Sequence, residues 1–148
     1  MLKEYLLLLL LGAFPISECR GAIVYGFGMQ LNPWLVFILA IIGNIIAIPI
    51  VFKILKVAKF RKLIIRLFGK HTHAKIEKHK KKFEAYEELA LLFLVAIPFP
   101  LTGAYTGILI SEILDLNRKK ATIVISIGVI IAAIITFSAI KLGLFLIE

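Results

Sequence analysis

The sequence predicts an all-α integral membrane protein: an inverted repeat of a re-entrant helical hairpin plus a transmembrane helix, with a basic amphipathic cytoplasmic linker between the halves. Three observations predict it. The 148 residues are 61% hydrophobic with mean hydropathy +1.00, too apolar for a soluble domain. Apolar stretches broken by Pro and Gly alternate with unbroken ones long enough to span. Positive charge is confined to segments beside them: Lys53 to Lys82 holds twelve Lys and Arg against one Glu, and Arg118, Lys119 and Lys120 stand together. Under the positive-inside rule both basic segments are cytoplasmic.

The broken stretch 89–116 carries the topology. It is 28 residues long, interrupted by Pro98, Pro100, Gly103 and Gly107, and flanked by basic segments on both sides. A crossing takes about 20 apolar residues, so two crossings cannot be cut from it. A segment that begins and ends on one side must turn back, which makes 89–116 a hairpin of two half-helices. The alternative is one tilted span kinked at proline, which leaves the Arg118 cluster outside. Stretch 5–30, broken by Pro15, Glu18, Arg20 and Gly21, reads as the matching hairpin from the outer side.

All 148 residues form a single membrane domain. The first half, 1–52, is hairpin 5–30 and span 33–52. Residues 53–88 are the linker, and the second half, 89–148, is hairpin 89–116 and span 121–147. A faint echo supports the repeat: Gly21-Ala22 precedes Leu31-Asn32, and Gly103-Ala104 precedes Leu116-Asn117, each before a long span. Hairpin then span, inverted, is a transporter plan. The start of the chain has the charged and apolar regions of a signal peptide. Charges at Glu18 and Arg20 stand where a cleavage site needs small neutral residues, so retention is expected. Cys19 is the only cysteine, which excludes an intrachain disulfide.

In the linker Val57, Phe60, Ile64, Leu67 and Phe68 recur at helical spacing between Lys and Arg, as in an interfacial helix. Its partners are membrane lipids with anionic headgroups rather than nucleic acid. His71, His73 and His79 lack an accompanying carboxylate cluster, so no metal is expected. No cofactor is implied, and without a Ser-His-Asp or metal constellation the chain is not expected to be an enzyme.

Glu18 and Arg20 fall at the first hairpin tip, where charge is costly unless it is paired or functional. Glu18 is a candidate proton carrier, and Arg20, always charged, a candidate anion holder. Where each second arm begins, free N–H groups and the helix dipole favour an anion, with Ser17 or Glu18 and Thr102 as N-cap types there. Gly21, Gly103 and Gly107 permit close approach or packing. Glu112, Asp115 and Arg118, three residues apart, would share one helical face. Asp115 and Arg118 suit an interfacial salt bridge, and Glu112, a turn deeper, is a second proton candidate. Asn44, Thr136 and Ser138 suit interhelical hydrogen bonds.

Glu18-Cys19-Arg20-Gly21-Ala22-Ile23, then Gly43-Asn44, then Pro98-Phe99-Pro100-Leu101-Thr102-Gly103-Ala104-Tyr105-Thr106-Gly107 resemble the small multidrug export family of prokaryotic membrane proteins, over nearly the whole chain. Val24 and Leu101 stand where that family commonly has Pro and Gly, so the first tip is expected to bend less sharply. The architecture is similar to the DedA superfamily, which implies proton-dependent translocation of polyprenyl phosphate carriers or lipid scrambling. By that resemblance Glu18 matches the acidic residue near the first hairpin and Arg118 the arginines near the second, and Tyr105 joins the binding candidates through its motif.

The leading expectation is a proton-coupled transporter or flippase for an anionic lipid headgroup such as a polyprenyl phosphate. The runner-up is a proton-coupled exporter of small cationic compounds with Glu18 as counter-ion. A third is a non-transport membrane adaptor acting through the linker. So few spans can barely enclose a pathway, so a homo-oligomer is plausible.

Overall fold

Proline and asparagine punctuate the apolar sequence where the chain turns, and the helices follow from that punctuation. The computed structural model describes residues 2–55, 80–97 and 102–147, and every regular element among them is helical. They are α1 (Leu2–Ala13), α2 (Glu18–Gly28), α3 (Pro33–Leu55), α4 (Lys80–Ala96), α5 (Ala104–Ile113) and α6 (Arg118–Ile147). The broken stretches each give two helices and the unbroken ones one each.

Local chemistry sets the boundaries. Pro15 disfavours helix at Phe14, and α1 stops at Ala13. Asn32 caps α3, its Oδ1 accepting from the N–H of Trp34 (3.0 Å) and Leu35 (3.3 Å), with Pro33 at the first helical position, where a missing N–H costs nothing. Asn117 caps α6 in the same way, through Lys119 N–H (3.0 Å) and Lys120 N–H (3.4 Å). At 1.5 Å per residue the 12-residue α1 and 11-residue α2 are roughly 18 and 16 Å long, each short of a ~30 Å hydrocarbon core.

The two halves share one backbone pattern, 85 positions apart. Leu31 N–H bonds Gly26 carbonyl and Leu116 N–H bonds Ser111 carbonyl; Met29 bonds Tyr25 as Leu114 bonds Ile110; Val36 bonds Asn32 as Ala121 bonds Asn117. Gln30 and Asp115 hold the left-handed turn at φ 53° and 54°. Ile23 and Ile108, Ala40 and Ile125, and Phe52 and Phe137 are buried counterparts. Leu31-Asn32 and Leu116-Asn117 therefore stand in turns of the same backbone pattern. Gly21-Ala22, however, corresponds in this register to Thr106-Gly107, because the backbone turn rather than the dipeptide fixes the alignment.

Each long helix crosses the first arm of its own hairpin at a glycine. A side chain at Gly43 would run into the α1 backbone at Leu9 and Ala13, and one at Gly12 would lie 2.7 Å from the Ala40 carbonyl. Gly128, the counterpart of Gly43, would place its Cβ 2.7 Å from Val95 Cβ on α4. Small residues at these crossings let the backbones approach. The long helices themselves run antiparallel. The Trp34 and Phe37 rings, at the start of α3, lie 5.6 and 5.1 Å from Phe137 near the end of α6, while Pro49, Phe52 and Lys53 share a recess with Arg118, Lys119 and Thr122.

Among the described residues the long helices expose apolar faces, and three polar side chains are buried. Ile38, Ile42, Ile46, Ile50 and Ile54 form an exposed stripe at four-residue spacing on α3, whereas Glu18, Asn44 and Ser111 are buried. A water-soluble core helix would be mostly covered; only 39% of the apolar window of α3 and 33% of that of α6 is buried. These two helices are long and apolar enough to cross a membrane.

Several boundaries differ from expectation. The first span continues to Leu55, past Pro49, and the second begins at Arg118 rather than 121. The expected linker's last residues already belong to α4, which starts at Lys80, since Lys and Glu are good helix formers and Glu88 pairs with Lys120 on α6 at 3.2 Å. Residues 56–79, with the amphipathic face and the three histidines, lie outside the described residues.

Candidate functional site

The deepest polar chemistry lies where the two hairpin tips meet. The chain turns between Ala13 and Glu18 in the first break, and in the second α4 ends at Ala96 and α5 begins at Ala104; each break leaves the last carbonyls of one helix and the first N–H groups of the next without helical partners. In this fold the opposite tip supplies the missing partners.

Arg20, on the first turn of α2, reaches across to the carbonyl end of α4. One terminal nitrogen donates to Thr102 carbonyl (2.8 Å), and the other to Val95 (2.8 Å) and Ile97 (3.0 Å) carbonyls. A cation at a helix carboxyl end is favoured by the dipole and by its unmatched acceptors. Glu18 serves the other arm. Its carboxylate lies at the amino end of α5, where Tyr105 N–H donates to Oε1 at 3.4 Å, beside Ala104 N–H. One hairpin thus provides both a cation for the negative end and an anion for the positive end of its neighbour's break.

Gly103 makes the contact sterically feasible. A Cβ there would lie 2.5 Å from Glu18 Cδ and overlap the carboxylate oxygens. Its backbone is extended (φ 161°), so the requirement is space. Glu18 is itself in the left-handed region at φ 49°, a conformation that costs a non-glycine residue about 1–2 kcal/mol. Its N–H bonds Phe14 carbonyl at 2.9 Å, which fixes the turn that aims the side chain across.

Tyr105 completes a reciprocal arrangement. Its hydroxyl donates to Ala13 carbonyl, the last of α1, as Arg20 donates to the end of α4. Arg20 and Tyr105 are counterparts at the 85-residue spacing, as are Glu18 and Gly103. Sequence motifs alone do not reveal this reciprocity; aligning the halves on Leu31-Asn32 and Leu116-Asn117 would have.

Other expectations fare differently. Neither Ser17 nor Thr102 caps the following helix: Ser17 Oγ donates back to Leu11 carbonyl and Thr102 Oγ1 to Ile97 carbonyl (3.0 Å), because the preceding arm's carbonyls are nearer than the next arm's N–H groups. Gly21 is half-buried in the α2 turn, where a Cβ would lie 2.7 Å from Ser17 Cβ. Gly107 packs α5 onto Val95, 2.8 Å from where a Cβ would stand.

Glu112, Asp115 and Arg118 do not share a helical face. Helix α5 ends at Ile113, Asp115 occupies the left-handed turn, and Arg118 opens α6. The turn brings Arg118 back onto Glu112 in a two-pronged pair at 2.6 and 2.8 Å, so Glu112, rather than Asp115, takes the arginine. Thr136 bonds Ala132 carbonyl within its own helix (2.8 Å). Asn44 is fully buried on α3, facing Cys19 of α2. Cys19, buried beside Glu18, donates to Val129 carbonyl at 3.8 Å. Among the described residues no group of His, Cys, Asp and Glu has the arrangement of a metal site.

Apolar outer faces and two helices of membrane-crossing length suggest a membrane location. The chain belongs to the family described as "Putative small multi-drug export protein", which it matches over residues 18–135, from the start of α2 into α6. No curated protein and no solved structure matches it.

Proposed function

We propose that the protein is a small proton-coupled membrane transporter in which two re-entrant hairpins, inverted across the membrane, meet tip to tip and pass an anionic lipid headgroup, most concretely a polyprenyl phosphate. The single observation that carries the reading is the position of the Glu18 carboxylate at the amino end of α5, within reach of the hairpin that also presents Arg20. A buried carboxylate there occupies a seat suited to any anion. Protonation removes the charge that α5 attracts and frees the Ala104 and Tyr105 N–H groups for a phosphate oxygen. Return of the carboxylate then displaces the phosphate, so proton and anion alternate on one seat. Glu112, held by Arg118, is the second proton candidate; with Asp115 it stands at the cytoplasmic end of that path. The chain is multi-pass, the linker is cytoplasmic, and a homo-oligomer encloses the pathway.

The family description favours a second reading, export of small cationic compounds with Glu18 as counter-ion. Glu18→Gln separates the two. In vesicles with an imposed pH gradient, the phosphate reading expects the variant to bind a short-chain polyprenyl phosphate yet lose gradient-driven movement, and to leave tetraphenylphosphonium binding at background. Wild-type protein that binds tetraphenylphosphonium, and loses it on Glu18→Gln, would select the cation exporter. Topology has its own test: in a Cys19→Ser background, single cysteines at His73 and Asn117 are expected to label from the cytoplasm, and those at Asn32 and Glu148 from outside. Labelling of position 117 opposite to 73 would make 89–116 a plain span.

A further inference from the structure

The antiparallel contact between α3 and α6 is not equally charged at its two ends. At one end, where α3 finishes and α6 begins, Pro49, Phe52, Lys53, Arg118, Lys119 and Thr122 enclose a recess of about 180 Å3. At about 30 Å3 per water, this is room for a hydrated phosphoryl group. The other end opens into a larger recess of about 550 Å3, whose one cation, Lys141, lies 5.4 Å from the Trp34 and Phe137 ring centres. The basic recess is separate from the hairpin tips, and the tip chemistry uses none of Lys53, Lys119 or Thr122.

We propose that this basic recess binds the phosphomonoester headgroup of a membrane lipid. Charge selects the class. Arg118 gives Nε and one terminal nitrogen to Glu112, so that pair is close to neutral and positions the guanidinium, leaving its other terminal nitrogen outside the pair. Lys53 and Lys119 are exposed and form no ion pair with any described residue, so the recess carries about two net positive charges. A phosphomonoester brings about −1.5 to −2 near neutral pH, with three acceptor oxygens, whereas a phosphodiester brings one charge. The α6 dipole adds to the attraction, although Asn117 already takes the Lys119 and Lys120 N–H groups, so the lysine ammoniums are the main donors. Phe52 and Pro49 give the recess an apolar side for the glycerol and first acyl carbons, and the lysine stems can lie along it with their charges at headgroup level. The site stands on this recess alone and would hold for a protein that moves no lipid.

The test is a binding titration of the purified full-length protein in neutral detergent with dioctanoyl phosphatidic acid, dioctanoyl phosphatidylglycerol and inorganic phosphate. Phosphatidic acid is expected to bind tightest. Lys53→Ala with Lys119→Ala should weaken it by about tenfold or more, the scale expected for two lysines at a membrane surface. Arginine at both positions should restore binding. Lys120→Ala with Lys141→Ala removes the same charge from outside the recess and should leave affinity within about twofold, as expected if attraction is local. Equal weakening by both doubles, or by neither, would overturn the site. Inorganic phosphate binding as tightly as phosphatidic acid would overturn the lipid assignment in favour of a free anion.

Discussion

Arg20 and Tyr105 stand at equivalent places in the two hairpins and serve equivalent acceptors on the opposite tip, yet one does it with a permanent cation and three bonds and the other with a single hydroxyl. The same contrast holds one turn back, where Glu18 of the first hairpin faces the counterpart position, Gly103, which has no side chain at all. The two breaks share a backbone pattern, yet among the described residues the charged side chains at their contact come from the first one only. A symmetric pair of charged tips would bring two carboxylates or two guanidiniums together in a medium where like charges repel strongly. The asymmetry gives one carboxylate, one cation and one glycine whose missing side chain leaves room for that carboxylate.

The sharpest way to break that comparison is to fill the vacancy. Gly103→Leu should drive the Glu18 carboxylate off α5, abolish transport and cost about 2–3 kcal/mol of stability in detergent unfolding, from overpacking plus a buried charge without its donors. Near-wild-type stability would mean that the carboxylate has somewhere else to go. Next in size, Arg20→Ala should cost about 2–3 kcal/mol, as expected for charge-assisted bonds to several carbonyls, and Tyr105→Phe only about 1 kcal/mol for one neutral bond. Equal losses from the two would make the tips energetically alike and remove the asymmetry.

Glu112→Gln tests whether charge outside the tips matters in the same way. The Glu112 side chain is only 9% exposed, but the amide keeps an acceptor for Arg118, so the expected loss is about 1 kcal/mol, and neutralising this second proton candidate should slow gradient-driven transport. Unchanged transport would take Glu112 out of the proton path. The smallest effect concerns the regular part of the repeat. Gln30 and Asp115 share the left-handed turn, and changing either to Gly should stabilise by about 0.5–1 kcal/mol, by similar amounts in the two halves. Opposite signs would show that the shared backbone pattern does not imply shared energetics.

Much of the fold was readable because its signals are local. Pro15, Asn32-Pro33 and Asn117 act within a few residues, through restricted φ or a side-chain cap, and each helix boundary they mark is where the sequence puts it to within a few residues. Charged residues in an apolar stretch are equally legible, since hydrocarbon tolerates few of them, which is why Glu18 and Arg20 stood out. The spacing argument failed at Glu112, Asp115 and Arg118 for an equally physical reason. Helical spacing holds only while the helix lasts, and α5 ends before Asp115. Ser17 and Thr102 were the right residue type for a cap, but a hydroxyl bonds whichever partner is nearer, and here that partner lies behind it.

By itself, then, the sequence determined where helices begin and end, which faces are apolar, and which few charges must be explained. What those charges touch was decided only by the tertiary structure. Arg20 meets α4 across 75 residues of chain and Glu18 meets α5 across 87, because Gly12, Gly43 and Gly128 seat each first arm on its own long helix and the antiparallel contact of α3 with α6 joins the two halves. Side-chain type fixes what a residue can bond. The packing of distant segments fixes which partner is within 3 Å, and no periodicity within one segment encodes that distance.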